Sequence, residues 1–352
     1  EIMHLTLIVL ITLFLFYLLA VVCDEYFVPA IDKIAHNFKL SSDVSGATLL
    51  AAGSSAPEFA ASIIAVFGLA GAEADVGAGT IVGSAIFNVL VIIGASAMFR
   101  AVVLQWKPII RDLGFYVVTI VLLFLFFRDG SITLVEAIIF LAVYALYIFA
   151  CLNWRRWFKY EDIKREIKET TKKKNKNFFS ASFRKCLNYI VPDVEKKPSL
   201  VFVTFFMCMA IITVASYFLV EQLVTAADIL GVNQTFLALT VLAAGTSLPD
   251  LIGSIIVAKQ GRGDMAVGNA IGSNIFDILF GLGLPWFLYL LFNGGNIKVS
   301  NDNLDASIIL LFATVVAILF LLIIRKWKIG RNSGLVLIFL YVGYVIYELS
   351  KL

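Results

Sequence analysis

Long apolar runs separated by short polar stretches set the pattern of this chain. A helix needs about 20 consecutive, mainly apolar residues to cross the hydrocarbon core of a bilayer. Runs of that order occur at about residues 2–22, 44–69, 77–99, 108–127, 131–152, 199–224, 234–258, 265–293, 304–324 and 333–349. The pattern predicts ten transmembrane helices, five on each side of a polar segment at 153–198.

Composition points to the same class of protein. The chain has 352 residues, of which 61% are hydrophobic and 15% charged, so a soluble globular protein is excluded and an all-α polytopic protein of the lipid bilayer is predicted. The first apolar run is too long for the core of a signal peptide, and we interpret it as a membrane span. Cysteines 23, 151, 186 and 208 show no CxxC spacing. We therefore expect no disulfide framework and no thiolate metal site. We also expect no nucleic-acid partner.

Lysine and arginine are distributed asymmetrically among the connecting segments. With the N-terminus placed outside, the inside segments hold 25 of the 28 basic residues, including fourteen in 153–198. The outside segments keep Arg128, Lys298 and Lys351. The positive-inside rule then predicts both termini on the extracellular side of a plasma or cell membrane, with the central segment 153–198 in the cytoplasm.

One motif is written twice, once in each half of the chain. Residues 46–58 end in Ala-Gly-Ser-Ser-Ala-Pro-Glu, and residues 238–250 end in Ala-Gly-Thr-Ser-Leu-Pro-Asp. A second pair of segments follows, Gly-Thr-Ile-Val-Gly-Ser-Ala-Ile-Phe-Asn at 79–88 and Gly-Asn-Ala-Ile-Gly-Ser-Asn-Ile-Phe-Asp at 268–277. Five helices is an odd number, so the second half enters the membrane with opposite polarity to the first. The sequence predicts two inverted-topology five-helix repeats, 1–152 and 199–352, with a substrate site at the midplane between them.

Each copy of the motif places a helix breaker and a carboxylate inside an apolar run. Pro57 has no N–H, so the carbonyl of Gly53 loses its helical donor and that of Ala51 is expected to be loosened. Pro249 has the same place in the second copy. A carboxylate or a freed carbonyl in hydrocarbon is costly unless it finds a partner. A bound cation is such a partner for both.

The two copies and the second pair of segments together supply a set of oxygen ligands. The set contains three carboxylates, two amides and six hydroxyls: Glu58, Asp250 and Asp277; Asn88 and Asn274; Ser54, Ser55, Thr246, Ser247, Ser84 and Ser273. No histidine or cysteine belongs to it. Calcium takes about six to eight oxygens, whereas zinc and copper prefer imidazole or thiolate. The residues therefore predict one shared site for hard cations, without catalytic residues or an organic cofactor.

These motifs resemble the α1 and α2 repeats of the sodium/calcium exchanger superfamily, here at 46–94 and 238–285, and more closely those of its potassium-dependent branch. The resemblance implies the sodium/calcium-exchanger fold and a secondary antiporter that exchanges Na⁺ for Ca²⁺ with co-transport of K⁺ by alternating access. It also implies that Glu58 and Asp250 are central calcium ligands shared with sodium. The hydroxyls named above and the carbonyls of Ala51 and Ala243 would complete the sodium and calcium sites.

Potassium use rests mainly on Asp277 and on the Ser-Ser-Ala-Pro-Glu spelling. In the potassium-dependent branch an Asp at this position is associated with potassium dependence, whereas potassium-independent animal exchangers carry Asn. The charge balance supports potassium use, because Glu58, Asp250 and Asp277 carry −3 when ionised and one Ca²⁺ plus one K⁺ neutralises them. The central segment departs from the animal members, since it is far shorter and lacks the calcium-sensing domains of the potassium-independent ones.

Four alternative functions use parts of the same pattern. A calcium/proton exchanger would use the same carboxylates, although the hydroxyl-rich set favours sodium, and a potassium-independent exchanger is disfavoured by Asp277. A passive cation channel would share the ligands without needing a sodium gradient. Residues 261–264, Gly-Arg-Gly-Asp, resemble the GxGD motif of intramembrane aspartyl proteases, but Asp264 lies in a short basic loop and no Tyr-Asp partner lies in a predicted helix.

The central segment pairs opposite charges at helical spacing, Glu161 with Arg165 and Glu169 with Lys173. We interpret it as a solvated connector with a charged helix near anionic lipid headgroups, the alternative being a regulatory element.

Overall fold

The computed structural model describes residues 2–67, 75–160, 178–229, 243–299 and 304–350, and helices dominate these ranges. In the first half the helices are α1 (Ile2–Val22), α2 (Val28–Asn37), α3 (Ser42–Ser45), α4 (Ala51–Ser54), α5 (Ala56–Phe67), α6 (Asp75–Phe87), α7 (Ile93–Phe99), α8 (Trp106–Phe127) and α9 (Leu134–Trp157). Wider π-helical segments at Cys23–Phe27, Gly46–Leu50 and Asn88–Ile92 join neighbouring helices.

The second half continues the same pattern. Its helices are α10 (Phe178–Ile190), α11 (Val201–Ile229), α12 (Ala243–Thr246), α13 (Leu248–Lys259), α14 (Gly263–Phe276), α15 (Gly283–Asn293), α16 (Leu304–Ile324) and α17 (Arg331–Leu349). A π-helical segment, Asp277–Leu282, joins α14 to α15, and a 3₁₀ turn, Pro198–Leu200, precedes α11. The all-helical class is confirmed, and the reason is that hydrocarbon offers backbone groups no other partners.

Two short antiparallel ladders connect the halves. β1 (Val102–Val103) pairs with β4 (Lys328–Ile329), and β2 (Ser131–Ile132) pairs with β3 (Ile297–Lys298). β1 precedes α8 and β2 follows it, whereas β3 precedes α16 and β4 follows it. The two ladders therefore lie at the opposite ends of the same pair of helices.

Six helices of the described ranges are long and apolar enough to cross a membrane, and a seventh span is formed if the bent pair Ser42–Ser54 and Ala56–Phe67 counts as one. These seven match the first six predicted runs and the eighth. The ninth and tenth runs fall on shorter apolar helices, Ile308–Ile324 and Arg331–Tyr347. The seventh run, 234–258, is described only from residue 243 onwards.

Glycine allows α14 to pack directly against the backbone of the first motif. A Cβ atom at Gly272 would lie 2.5 Å from the carbonyl oxygen of Ala47, and one at Gly46 would lie 2.3 Å from that of Met265. Gly268 faces the same segment, with a Cβ position 3.0 Å from the Asp43 carbonyl. The small residues at 268 and 272 thus let two motif-bearing segments approach more closely than larger side chains would permit.

The second part of the central segment is not a solvated connector, and here the prediction is wrong. Leu187 on α10 is buried, together with Val191 and Val194 just after it, in an apolar cluster shared with α1 and α11. The Tyr26 hydroxyl donates to Asn188 Oδ1 at 3.0 Å. This part packs because its apolar residues recur every three or four positions. The predicted ion pairs at 161–173 lie outside the described residues.

Candidate ion-binding site

Both copies of the repeated motif break their helix at the equivalent serine. The first copy stops at Ser54 and resumes at Ala56, with a bend of 48° between the two parts. The second stops at Thr246 and resumes at Leu248. Glu58 and Asp250 therefore lie in the first turn of the resumed helix, where the positive end of the helix dipole favours a carboxylate.

The breaks free fewer carbonyls than expected. Ala51 O still accepts the Ser55 amide at 2.9 Å, so the expectation that Pro57 loosens this carbonyl is wrong. Ala243 O accepts the Ser247 amide at a longer 3.4 Å and the Thr246 hydroxyl at 3.3 Å. At both breaks the serine amide therefore keeps its hydrogen bond to the alanine carbonyl four residues earlier. The Ala51 oxygen retains its second lone pair for a further ligand, whereas both lone pairs of the Ala243 oxygen already accept hydrogen bonds.

Hydrogen bonds between the two motif copies bring the site together. The Ser54 hydroxyl of the first copy donates to Asp250 Oδ1 of the second. In return, the Ser247 hydroxyl of the second copy donates to Glu58 Oε1 of the first at 3.3 Å. The Glu58 carboxylate also interacts electrostatically with Asp277 and Asp250. Residues 192 positions apart in the chain therefore share one buried polar centre.

Asp250 is the best-satisfied carboxylate of this centre. Besides Ser54, it accepts the Ser273 hydroxyl at 2.8 Å and lies 3.5 Å from the amide nitrogens of Asn88 and Asn269. The sequence analysis missed Asn269, which also donates to Ser254 Oγ at 2.9 Å. The signal was available in the sequence, because Asn269, Ser273 and Asp277 follow one another at intervals of four residues on one helix face.

Several oxygens of the centre are buried without a hydrogen-bond partner among the described residues. They are Ser55 Oγ, Glu58 Oε2, Asn88 Oδ1 and both carboxylate oxygens of Asp277. These residues are at most 3% exposed. Buried polar groups are normally paired, and an unpaired charge in a protein interior costs several kcal/mol. A cluster of unpaired oxygens, four of which belong to carboxylates or an amide carbonyl, is the arrangement that a dehydrated cation satisfies.

The second pair of segments has the same local geometry in both halves. A π-helical segment begins at Asn88 in the first half and at Asp277 in the second. These two positions are equivalent in the sequence repeat. Widened turns of this kind are frequent at functional sites because they turn backbone and side-chain groups out of the regular helical pattern.

All the predicted site residues are buried, but they are not equally engaged. Every side chain of the set is between 0% and 8% exposed, and Ala51 and Ala243 are fully buried. Ser84 does not reach a carboxylate, because its hydroxyl donates to the backbone oxygen of Ile81 at 3.0 Å. The remaining members lie in the motif segments around Glu58, Asp250 and Asp277. Within the described ranges, no three His, Cys, Asp or Glu side chains form a compact metal centre.

A second buried polar cluster was not predicted. Arg111 on α8 is 2% exposed and donates to the Asp112 carboxylate at 2.8 Å, with Asp43 at 3.3 Å. Tyr147 donates to Asp112 at 3.2 Å, and Tyr160 donates to Asp43 at 3.1 Å. Burial raises the pKa of the Tyr160 hydroxyl, so this group remains a neutral donor at physiological pH. The cluster joins the start of the first motif segment to α8, α9 and the beginning of the central segment.

This broken-helix, oxygen-lined geometry is that of a membrane protein that binds and transports cations, and comparison with known proteins defines the family. The family model described as sodium/calcium exchanger protein matches residues 8–153 and 200–349. The chain belongs to the sodium/calcium exchanger family. The family resemblance of the sequence motifs is thereby confirmed.

Individual relatives are similar over most of their length. The chain is 28% identical to sodium/potassium/calcium exchanger 1 of Gallus gallus, covering 95% of this chain and 77% of that protein. It is 30% identical to human sodium/potassium/calcium exchanger 5, covering 97% and 83%. Among solved structures, the sodium-calcium exchanger NCX_Mj soaked with Na⁺ and Sr²⁺ aligns with a TM-score of 0.68 at 24% identity, over 97% of this chain and 99% of that one. That likeness shows the fold.

Proposed function

We propose that this protein is a secondary antiporter that exchanges Na⁺ for Ca²⁺, co-transports K⁺ and works by alternating access. The relatives carry the names of sodium/potassium/calcium exchangers. The observation that carries the proposal is the set of unpaired buried oxygens on Ser55, Glu58, Asn88 and Asp277. Oxygen ligands without nitrogen or sulfur donors are those that Na⁺, K⁺ and Ca²⁺ prefer. The chain has transported ions as substrates and no catalytic role.

Charge balance explains how such a site couples the ions. Glu58, Asp250 and Asp277 together contribute −3 to a buried centre. Na⁺ ions, or Ca²⁺ with K⁺, neutralise this charge, whereas an empty site leaves like charges close together. The two ion loads can therefore carry the protein between outward-open and inward-open states, while the empty protein crosses less readily. A ligand shifts such an equilibrium only by its difference in affinity for the two states.

Within the site, Glu58 and Asp250 are the proposed central Ca²⁺ ligands, also used by Na⁺. Asp277 is the proposed K⁺ ligand, since both of its oxygens lack donors among the described residues. The amides of Asn88 and Asn274 and the motif hydroxyls add neutral oxygens. Ser84 joins this set only if its hydroxyl turns away from Ile81.

The proposed architecture is ten transmembrane helices arranged as two inverted repeats. Two repeated features support it: helix breaks at Ser55 and Ser247, and π-helical segments that begin at Asn88 and Asp277. The ladders support it as well. In the two repeats β1 corresponds to β3 and β2 corresponds to β4, so the β1–β4 ladder and the β3–β2 ladder are equivalent by the same symmetry. The Lys and Arg distribution supports extracellular termini and a cytoplasmic central segment.

Calcium flux in proteoliposomes tests the proposal. Vesicles loaded with Na⁺ are diluted into Na⁺-free medium that contains radioactive calcium, with K⁺ or with choline. We expect uphill uptake that needs the Na⁺ gradient and is faster with K⁺, and that is lost in Glu58→Gln. Uptake driven equally well by a pH gradient would identify a calcium/proton exchanger, and equal rates with K⁺ and choline would refute K⁺ co-transport. Calcium movement that only follows its own gradient would identify a channel.

A further inference from the structure

A fully buried tyrosine contacts the candidate ion site from outside the repeated motifs. Tyr116 lies near the middle of α8, and its side chain is 0% exposed. Its hydroxyl accepts a hydrogen bond from Nδ2 of Asn274 at 2.9 Å. Asn274 belongs to the motif helix α14, whereas α8 carries none of the motif residues. The contact therefore links the site to a helix that the sequence motifs do not include.

The orientation of the Asn274 amide is fixed by its partners. Its Nδ2 also donates to the backbone oxygen of Ala85 at 3.0 Å. A backbone carbonyl accepts hydrogen bonds and cannot donate them, so the nitrogen end of the amide must face Ala85. Tyr116 and Ala85 together occupy both N–H groups. Asn274 Oδ1 consequently faces the other way, where it accepts a bond from Asn88 Nδ2 at 2.9 Å.

Asn88 is oriented in turn by Asn274. Its Nδ2 donates to Asn274 Oδ1 and lies 3.5 Å from Asp250 Oδ2. Its Oδ1 is then left without a hydrogen-bond partner among the described residues. A reversed Asn88 would place N–H groups where that oxygen now lies, and N–H groups repel cations.

We infer that Tyr116 is a positioning residue for ion binding, which acts through Asn274 to hold the Asn88 amide with its oxygen available to the transported cation. Without the tyrosine hydroxyl, one N–H of Asn274 would be buried and unpaired, and the amide would rotate to find another acceptor. That rotation would remove the acceptor of Asn88 and release its orientation. The inference rests on the proposed role of Asn88 as an ion ligand.

The test is Tyr116→Phe, which keeps the ring and removes only the hydroxyl. Calcium uptake is measured against Ca²⁺ concentration in proteoliposomes of the purified full-length protein. We expect the half-saturating Ca²⁺ concentration to rise by roughly threefold to tenfold, the factor for about one lost hydrogen bond, with the maximal rate within about twofold of wild type. A tyrosine that served only in packing would leave half-saturation unchanged.

Tyr144→Phe is the matched control. Tyr144 lies on the neighbouring helix α9, and its ring packs against Phe276 with centroids 5.8 Å apart. Its hydroxyl makes no hydrogen bond to the site amides in the described structure. We expect this variant to bind Ca²⁺ as wild type does. An equal shift in Tyr144→Phe, or unchanged half-saturation in Tyr116→Phe, would overturn the inference.

A double-mutant cycle identifies the route of the effect. In an Asn274→Ala background the link is already broken, so adding Tyr116→Phe should change Ca²⁺ half-saturation by less than about twofold, whether read from uptake or from Ca²⁺-dependent thermal stabilisation. If the two substitutions act independently, so that their factors on Ca²⁺ half-saturation multiply in the double variant, the inference is overturned. Glu58→Gln is measured in parallel. If Ca²⁺ transport survives this substitution, the proposed site itself is wrong. If Glu58→Gln is inactive and Tyr116→Phe leaves half-saturation unchanged, only the positioning role of Tyr116 is wrong.

Discussion

Replacing Asp277 by asparagine is expected to weaken or abolish the K⁺ requirement while transport survives, and to stabilise the cation-free protein. The Asp277 side chain is 1% exposed, and both of its oxygens lack hydrogen-bond partners among the described residues. An Asp at the centre of a membrane helix costs on the order of 3 kcal/mol. Asparagine has nearly the same shape and no charge, so most of this cost disappears when no cation is bound.

The size of the effect can be read as a thermal shift. A change of 1 kcal/mol moves the unfolding midpoint by roughly 2–4 °C in a chain of about 150–250 residues and by less in this chain of 352, so an upward shift of a few degrees is expected in choline buffer. Added K⁺ should remove most of this difference. An ion at 100 times its Kd stabilises the protein that binds it by about 2.7 kcal/mol, and only wild type should gain this. Calcium uptake with and without K⁺ is measured on the same preparations.

Asp112→Asn is the matched control, because it makes the same substitution at a buried carboxylate that is paired. Arg111 Nε lies 2.8 Å from Asp112 Oδ1, so this variant leaves a buried guanidinium partly uncompensated. We expect a lower unfolding midpoint and unchanged K⁺ stimulation. The reasoning is refuted if Asp277→Asn retains wild-type K⁺ stimulation, or if its cation-free midpoint falls as that of Asp112→Asn does.

Two further predictions concern packing. Gly272→Ala should reduce the yield of folded protein, since its Cβ would lie 2.5 Å from the Ala47 carbonyl oxygen, whereas Gly281→Ala, with its nearest atom at 3.5 Å, should behave as wild type in size-exclusion profiles. Equal profiles would show that the two segments separate easily. Arg111→Ala should destabilise the protein by roughly 3–5 kcal/mol because Asp112 loses its buried partner. A thermal midpoint equal to that of wild type would contradict this.

The helices and the centre of the site could be predicted because their signals are local. An apolar run of spanning length has few alternatives to a helix, and a proline directly before a carboxylate inside such a run indicates a break with a ligand. Repetition of that pattern around Glu58 and Asp250 places the two copies together. The helix break at Ser55 is consistent with Pro57, which has no N–H to donate to the carbonyl of Gly53.

The residues that sequence analysis missed depend on contacts between distant segments. The charge distribution places Arg111 in an inside loop, yet the structure shows it buried in an ion pair with Asp43, which lies 68 positions earlier. Tyr116 looks like any aromatic residue of an apolar helix until Asn274 is placed beside it. The packing of α10 had a local signal in Phe183, Leu187, Val191 and Val194, but the charges before it obscured that spacing.

The two β-ladders restrict how this molecule can move. Covalent chain runs from β1 through α8 to β2, hydrogen bonds cross to β3, and chain returns through α16 to β4, which is bonded to β1. The result is a closed mechanical loop in which neither helix can slide along the other by one residue without breaking the registers Val102↔Ile329 and Ser131↔Lys298 together. These two helices must translate as one rigid body. Any displacement that opens the site to one side of the membrane must therefore occur between this pair and the other helices, not within the pair.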